Sequence, residues 1–171
     1  MKYITIIFPI LFFIVTQNLY AVVNIESLRN TSSNNEISFH LTVKDGNSKK
    51  NQLDLKYTNH FVYNKTKYFT ILKSNYEINN GTKSENNGLL HLRRVNSINL
   101  TQANETFIQI EYDEFLDLLE RKLIGFSRRF TLDSFYLGIG IMAESQLYND
   151  QENNLQNYFW STNYLSYKLK V

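Results

Sequence analysis

Residues 36–63, EISFHLTVKDGNSKKNQLDLKYTNHFVY, decide how this chain is read. Ile37, Phe39, Leu41 and Val43 alternate with Glu36, Ser38, His40, Thr42 and Lys44. After an Asp45-Gly46 step and a short polar run, Leu53, Leu55, Tyr57, Phe61 and Tyr63 alternate with Gln52, Asp54, Lys56, Thr58 and His60. A period of two puts successive side chains on opposite faces of a strand, so each arm has one apolar and one polar face. The Asp-Gly step supplies the positive φ that a hairpin turn needs. The stretch predicts two antiparallel strands, and leaves open which face meets protein and which meets lipid or water.

The same pattern continues outward. Strands are expected at residues 67–78, 88–96, 105–113, 121–130, 134–146 and 158–170, with polar loops at 79–87 and 148–157. Leu137, Ile139, Ile141 and Ala143 against Gly138, Gly140, Met142 and Glu144 form the cleanest of these. Residues 114–124, EFLDLLERKLI, carry leucines at helical spacing in helix-favouring company. Their neighbours are strands joined by short turns, so they are read as a tight connection into the sixth strand. The outcome is an all-β chain of about eight consecutive strands, each pairing with the next. Loops after the first, third and seventh strands are expected to be long, and those after the second and sixth short.

Composition narrows the function classes. The chain has 171 residues and fits one domain. Cysteine is absent, which excludes disulfides, thiolate metal sites and cysteine nucleophiles. The net charge of +2 comes from interspersed signs, so no basic stripe argues for nucleic acid. The single proline, Pro9, lies in a leader. There Lys2 precedes an apolar run of about thirteen residues, too short to span a membrane as a helix and of secretory type. Cleavage is expected after Ala21, dividing the chain into a signal peptide (1–21) and a mature domain (22–171), with a polar lead-in before the first strand.

Two arrangements use such two-faced strands. A soluble barrel turns its apolar face inward, and a lipocalin-like one would bind a small apolar ligand there. A transmembrane barrel turns it outward, because the hydrocarbon is the apolar solvent. Expected strands of about ten residues suit a tilted membrane strand better than a usual soluble one. Aromatics near strand ends (Tyr63, Tyr68, Tyr76, Phe130, Phe135, Tyr158) read as interfacial girdles. The two arrangements place Leu55, Ile110, Ile139 and Ile141 oppositely, facing lipid in one and lining the interior in the other.

Several ordered segments resemble the uncharacterised bacterial family of salt-induced outer-membrane proteins. They are residues 24–29 (NIESLR), 45–48 (DGNS) leading into 53–57 (LDLKY), 90–94 (LHLRR), 109–115 (QIEYDEF), 121–125 (RKLIG), and 137–141 (LGIGI) with Glu144. The resemblance implies an exported, antiparallel up-and-down β-barrel of the bacterial outer membrane with no established activity. Members continue with further strands and end in an aromatic residue, whereas this chain ends YKLKV. It is therefore expected to be either a barrel closing at eight strands or an incomplete larger one. The expected partners are outer-membrane lipid and the barrel-assembly machinery during biogenesis; the chain is expected to be monomeric, with no nucleic acid and no cofactor.

Candidate functional residues lie on the polar parity: His40, Asp54, Lys56, His60, His91, Arg93, Glu111, Asp113, Arg121, Arg129 and Glu144 are expected to form a polar network in the lumen. Convergence of the three histidines on a metal is the sharper reading, and mid-strand hydrogen bonding the plainer one. Ser38 or Ser127, a histidine, and Asp54 or Asp113 would supply a hydrolytic triad, but no nucleophile-elbow signature accompanies them. Glu111, Asp113 and Glu144 against Arg93, Arg121 and Arg129 read first as charge pairs. No catalytic, cofactor or metal site is assigned, and the expected role is structural or envelope-adapting, with passage of small polar solutes as its extension.

Overall fold

Alternation at period two becomes one sheet. The computed structural model describes residues 22–23, 25, 33–133, 135–149 and 154–167. The expected cleavage site at Ala21 and the chain end at 168–171 lie outside them. Eight strands follow in order: β1 Asn34–Lys44, β2 Lys50–Tyr63, β3 Thr66–Asn79, β4 Thr82–Ser97, β5 Gln102–Asp113, β6 Leu118–Leu132, β7 Phe135–Tyr148 and β8 Leu155–Tyr167. Each is antiparallel to its sequence neighbour, in the spatial order β1 to β8. The fold is thus an all-β, up-and-down meander. The sheet is not closed, since β1 and β8 stand at its two edges.

Turn chemistry explains where strands end. Asn64 and Lys65 both take positive φ (46° and 62°), as do Asn80 and Gly81 (50° and 80°). These are the angles of type I′ hairpins, whose twist matches that of the flanking strands. The polar loop expected at residues 79–87 is therefore only Asn80–Gly81. Residues 82–87 belong to β4 despite their polarity, and Asn87 accepts a 2.8 Å bond from the Asn75 side chain opposite it. The long loop expected after the third strand is a two-residue turn, and the expected order of loop lengths fails there.

The helix-like stretch resolves as a single 3-10 turn, Glu114–Leu116. Asp113 caps it by accepting from the Phe115 N–H at 3.0 Å, and Asp117 leaves it in the left-handed region at φ 53°. Strand β6 then starts at Leu118, earlier than expected, because both of its neighbours offer ladder partners there. Glu114 lies outside the strands and ties the turn to β4: Lys83 Nζ donates to its two carboxylate oxygens at 2.9 and 2.7 Å, and Asn86 Nδ2 to one at 2.6 Å. The Lys83 bond, then the Asn86 bond, hold its carboxyl below the ordinary value of 4.5. A carboxyl whose folded-state value is lowered contributes stability above its ordinary value, and that stability is lost as pH falls through the lowered folded-state value. Wild type is therefore expected to exceed Glu114→Gln in thermal midpoint at pH 7, with the difference shrinking as pH drops below 4.5 and gone once Glu114 is protonated in the folded state as well. Equal midpoints at pH 7 would show the tie to be inert.

Register assembles rows across the sheet. One row runs Thr58, Ile71, His91, Gln109, Leu123, Glu144, Tyr158. The next runs His60, Phe69, Arg93, Phe107, Gly125, Met142, Trp160. These rows form the face that carries most of the polar side chains, and in the central strands it is the buried one. Gln109 is 0% exposed and Glu105 1%, while Ile124 and Ile141 on the other face are 59% and 50% exposed. The Tyr164 hydroxyl on β8 reaches Glu105 on β5 across the two strands between them, so the sheet curls around its polar face.

Two glycines on that face permit the curl in different ways. A Cβ at Gly138 would sit 2.0 Å from the Tyr164 ring, and one at Gly140 would sit 2.4 Å from the Phe126 carbonyl oxygen. A ring can swing aside and backbone cannot. Gly138→Ala is expected to cost about 1–3 kcal/mol and to be largely rescued by Tyr164→Ala, on the scale of core overpacking. Gly140→Ala is expected to cost at least as much with no such rescue, as read by denaturant midpoints. Equal behaviour of the two would refute this account.

Candidate functional site: the polar face of the sheet

The eleven candidate residues share one face, because parity and register agree along every strand. They do not form one cluster. His40 and Lys56 are exposed near the β1 edge, where nothing covers them among the described residues. His40 contacts Thr42 Oγ1 through Nε2 at 2.8 Å, Lys56 lies 3.9 Å from Glu36, and Asp54 accepts from Gln52 at 2.9 Å. Asp113 serves as the turn cap. These four stand apart from the buried part of the face.

The other members meet on β4 to β7, apart from His60, which is buried on β2 and stacks on Phe69 with centroids 5.8 Å apart. Arg121 lies between two carboxylates: Nε donates to Glu144 Oε1 and Nη1 to Glu111 Oε1, each at 2.5 Å. Glu111 also accepts from Gln109 Nε2 at 2.9 Å. Gln109 Oε1 meets His91 Nδ1 at 3.0 Å, and Arg93 Nε donates to His91 Nε2 at 3.2 Å. An acceptor on one side and a donor on the other fix the neutral Nδ1–H imidazole. Arg93 continues to Glu105 at 3.5 Å, which pairs with Arg129 at 3.7 Å and accepts from Tyr164 at 3.2 Å. Thus Glu144, Arg121, Glu111, Gln109, His91, Arg93 and Glu105 form an unbroken polar chain.

Sequence reading missed several of its members. Gln109 and Glu105 share the parity of the chosen residues and were legible by that signal alone. Trp160 donates to Glu144 Oε2 at 2.7 Å, and Gln146 also donates to Glu144. Trp160 and Tyr164 lie on β8, where apolar and polar residues alternate weakly. The buried face is also less polar than expected. Phe69, Ile71, Val95 and Ala103 form one apolar cluster on it, and Phe107, Leu123 and Met142 another.

The lead-in is the largest departure. Val22, Val23 and Ile25 are seated on this face: Ile25 is buried in the first cluster with Val23 beside it, and Val22 packs against the second. Arg93 Nη2 donates to the Val23 carbonyl at 3.1 Å, and the Val23 N–H reaches Gln109 Oε1 at 3.4 Å.

What the face can do chemically follows from these contacts. Both ring nitrogens of His91 are engaged by Gln109 and Arg93, so it is not placed as a base for Ser127. Among the described residues no three His, Cys, Asp or Glu side chains are grouped to hold a metal ion. The opposite face is apolar and open, with Ile110 and Ile139 among its half-exposed residues. It carries most of the expected aromatics: Phe61 stacks on Tyr68 and Phe135 meets Tyr167, both at the end of the sheet that carries the Asn64–Lys65 turn. Tyr158 is the exception, since it pairs with Glu144 on the polar side and its ring lies against Trp160. No family model, curated protein or solved structure matches this chain.

Proposed function

We propose that this chain is a non-enzymatic β-barrel protein embedded in a bacterial outer membrane, with a structural or envelope-adapting role. One observation carries the reading: charged and amide side chains are buried, while large aliphatic side chains cover the accessible face. In water that distribution leaves a face of large apolar side chains exposed, a feature that marks membrane or partner surfaces. In hydrocarbon it is the favourable one. Strands of 11 to 16 residues reach across a bilayer core even when tilted. The motif resemblance to salt-induced outer-membrane proteins points the same way. The lipocalin-like alternative needs Ile110, Ile139 and Ile141 inside, and they lie on the accessible face.

The reading makes one demand on the open sheet. Unpaired strand edges do not occur in lipid, so β1 and β8 must be paired in the bilayer, with each other or with a further strand. Passage of small polar solutes would have to go around the side chains, with Val22, Val23 and Ile25 among them, that occupy the polar face. The test is gel mobility of the detergent-refolded chain, heated and unheated. A heat-modifiable band with β-type circular dichroism, obtained only with detergent or lipid, is expected. Folding in plain buffer to the same state would overturn the membrane assignment.

A further inference from the structure

The lead-in is held as a bound peptide would be. Two buried side chains address its backbone rather than its side chains: Arg93 donates to the Val23 carbonyl and Gln109 accepts from the Val23 N–H. Two apolar clusters receive side chains three residues apart. Val22, partly buried, packs against Phe107, Leu123 and Met142, while Ile25 is buried among Phe69, Ile71, Val95 and Ala103, with Val23 packed beside it. The clusters span β5 to β7 and β3 to β5, so the contacts of Val22 and Ile25 run across the strands. Backbone bonds supply affinity for a bound chain, and apolar contacts at a set spacing supply selectivity.

We propose that the polar face is a binding cleft for a peptide segment with apolar side chains three apart, and that Val22, Val23 and Ile25 occupy it in cis. The segment is thereby an exchangeable plug, and a peptide of the same kind can take its place. A tethered segment acts at an effective concentration on the order of millimolar, so free peptide competes poorly until the tethered one is weakened. The proposal does not depend on what meets the apolar face, and its test runs in whichever medium folds the chain, detergent or buffer.

The probe is a labelled synthetic peptide of residues 22–29, VVNIESLR, titrated into the full chain and its Ile25→Asp variant. Trp160, the single tryptophan, packs against the cluster that receives Val22 and reports on the cleft through its emission. The variant alone is expected to show shifted Trp160 emission. The peptide is expected to bind it at least tenfold more tightly than wild type and to restore the emission. A control peptide with Asp replacing Val22 and Ile25 is expected not to bind. Ile25→Ala, which removes most of the apolar contact without adding a charge, gives the same ordering if Ile25→Asp does not fold. Equal peptide affinity for wild type and variant, or equal binding of the control peptide, overturns the proposal and leaves the segment as ordinary core.

Discussion

Ile141→Lys is expected to destabilise the chain in lipid vesicles by about 2–4 kcal/mol, the cost of a lysine at the midplane on the outside of a membrane barrel. Ile141 is central in β7, half-exposed, and flanked on its face by Ile139 and Ala143. In hydrocarbon the ammonium must reach toward the headgroups or be desolvated. In water the same replacement is a surface change worth no more than about 0.5 kcal/mol either way. Guanidinium-driven unfolding from vesicles measures the difference. A variant as stable as wild type would place this face in water and remove the basis of the membrane assignment.

The second large effect belongs to the buried network. Arg121→Met is expected to cost about 3–5 kcal/mol, because it strands Glu111 and Glu144 near each other without their shared cation. The guanidinium now contacts both carboxylates at 2.5 Å, and all three side chains are largely shielded from water. Neutralising the carboxylates as well, in Glu111→Gln/Arg121→Met/Glu144→Gln, is expected to recover most of the loss. Glutamine at 144 keeps an acceptor for the Trp160 N–H. Replacing a buried ion cluster by neutral groups is often close to neutral in stability, whereas breaking it is not. A single-variant loss below about 1 kcal/mol would show that water reaches the cluster and screens it.

These two experiments probe opposite faces of the same strands, and alternation made both faces legible. Ile139 and Ile141 against Gly138, Gly140 and Glu144 need no structure to be separated, since a strand can only put them on opposite sides. Strand edges were less legible. At residues 82–87 a run of Thr, Lys, Ser, Glu and Asn reads as loop by composition, yet Asn80–Gly81 turns the chain so tightly that all of them but Ser84, which sits at a bulge, have ladder partners at once. At residues 118–120 helical spacing in the leucines competed with pairing; Leu118 pairs with both neighbouring strands, and the register shifts through a bulge before Arg121 resumes the ladder.

The sequence by itself determined the all-β meander and which side chains share a face, because side-chain period and turn residues are local properties. It could not determine which face would be buried, since alternation is symmetric under exchange of inside and outside. Nor could it show that His91, Arg93, Glu105, Gln109, Glu111, Arg121 and Glu144 touch in one chain while His40 and Lys56 stand apart. That depends on curl, and on distance from the sheet edge. The place of Val22, Val23 and Ile25 was the least legible of all. A short segment without period carries no signal of its own, and only the curled face, with two apolar clusters and two backbone-directed polar groups, gives it a site.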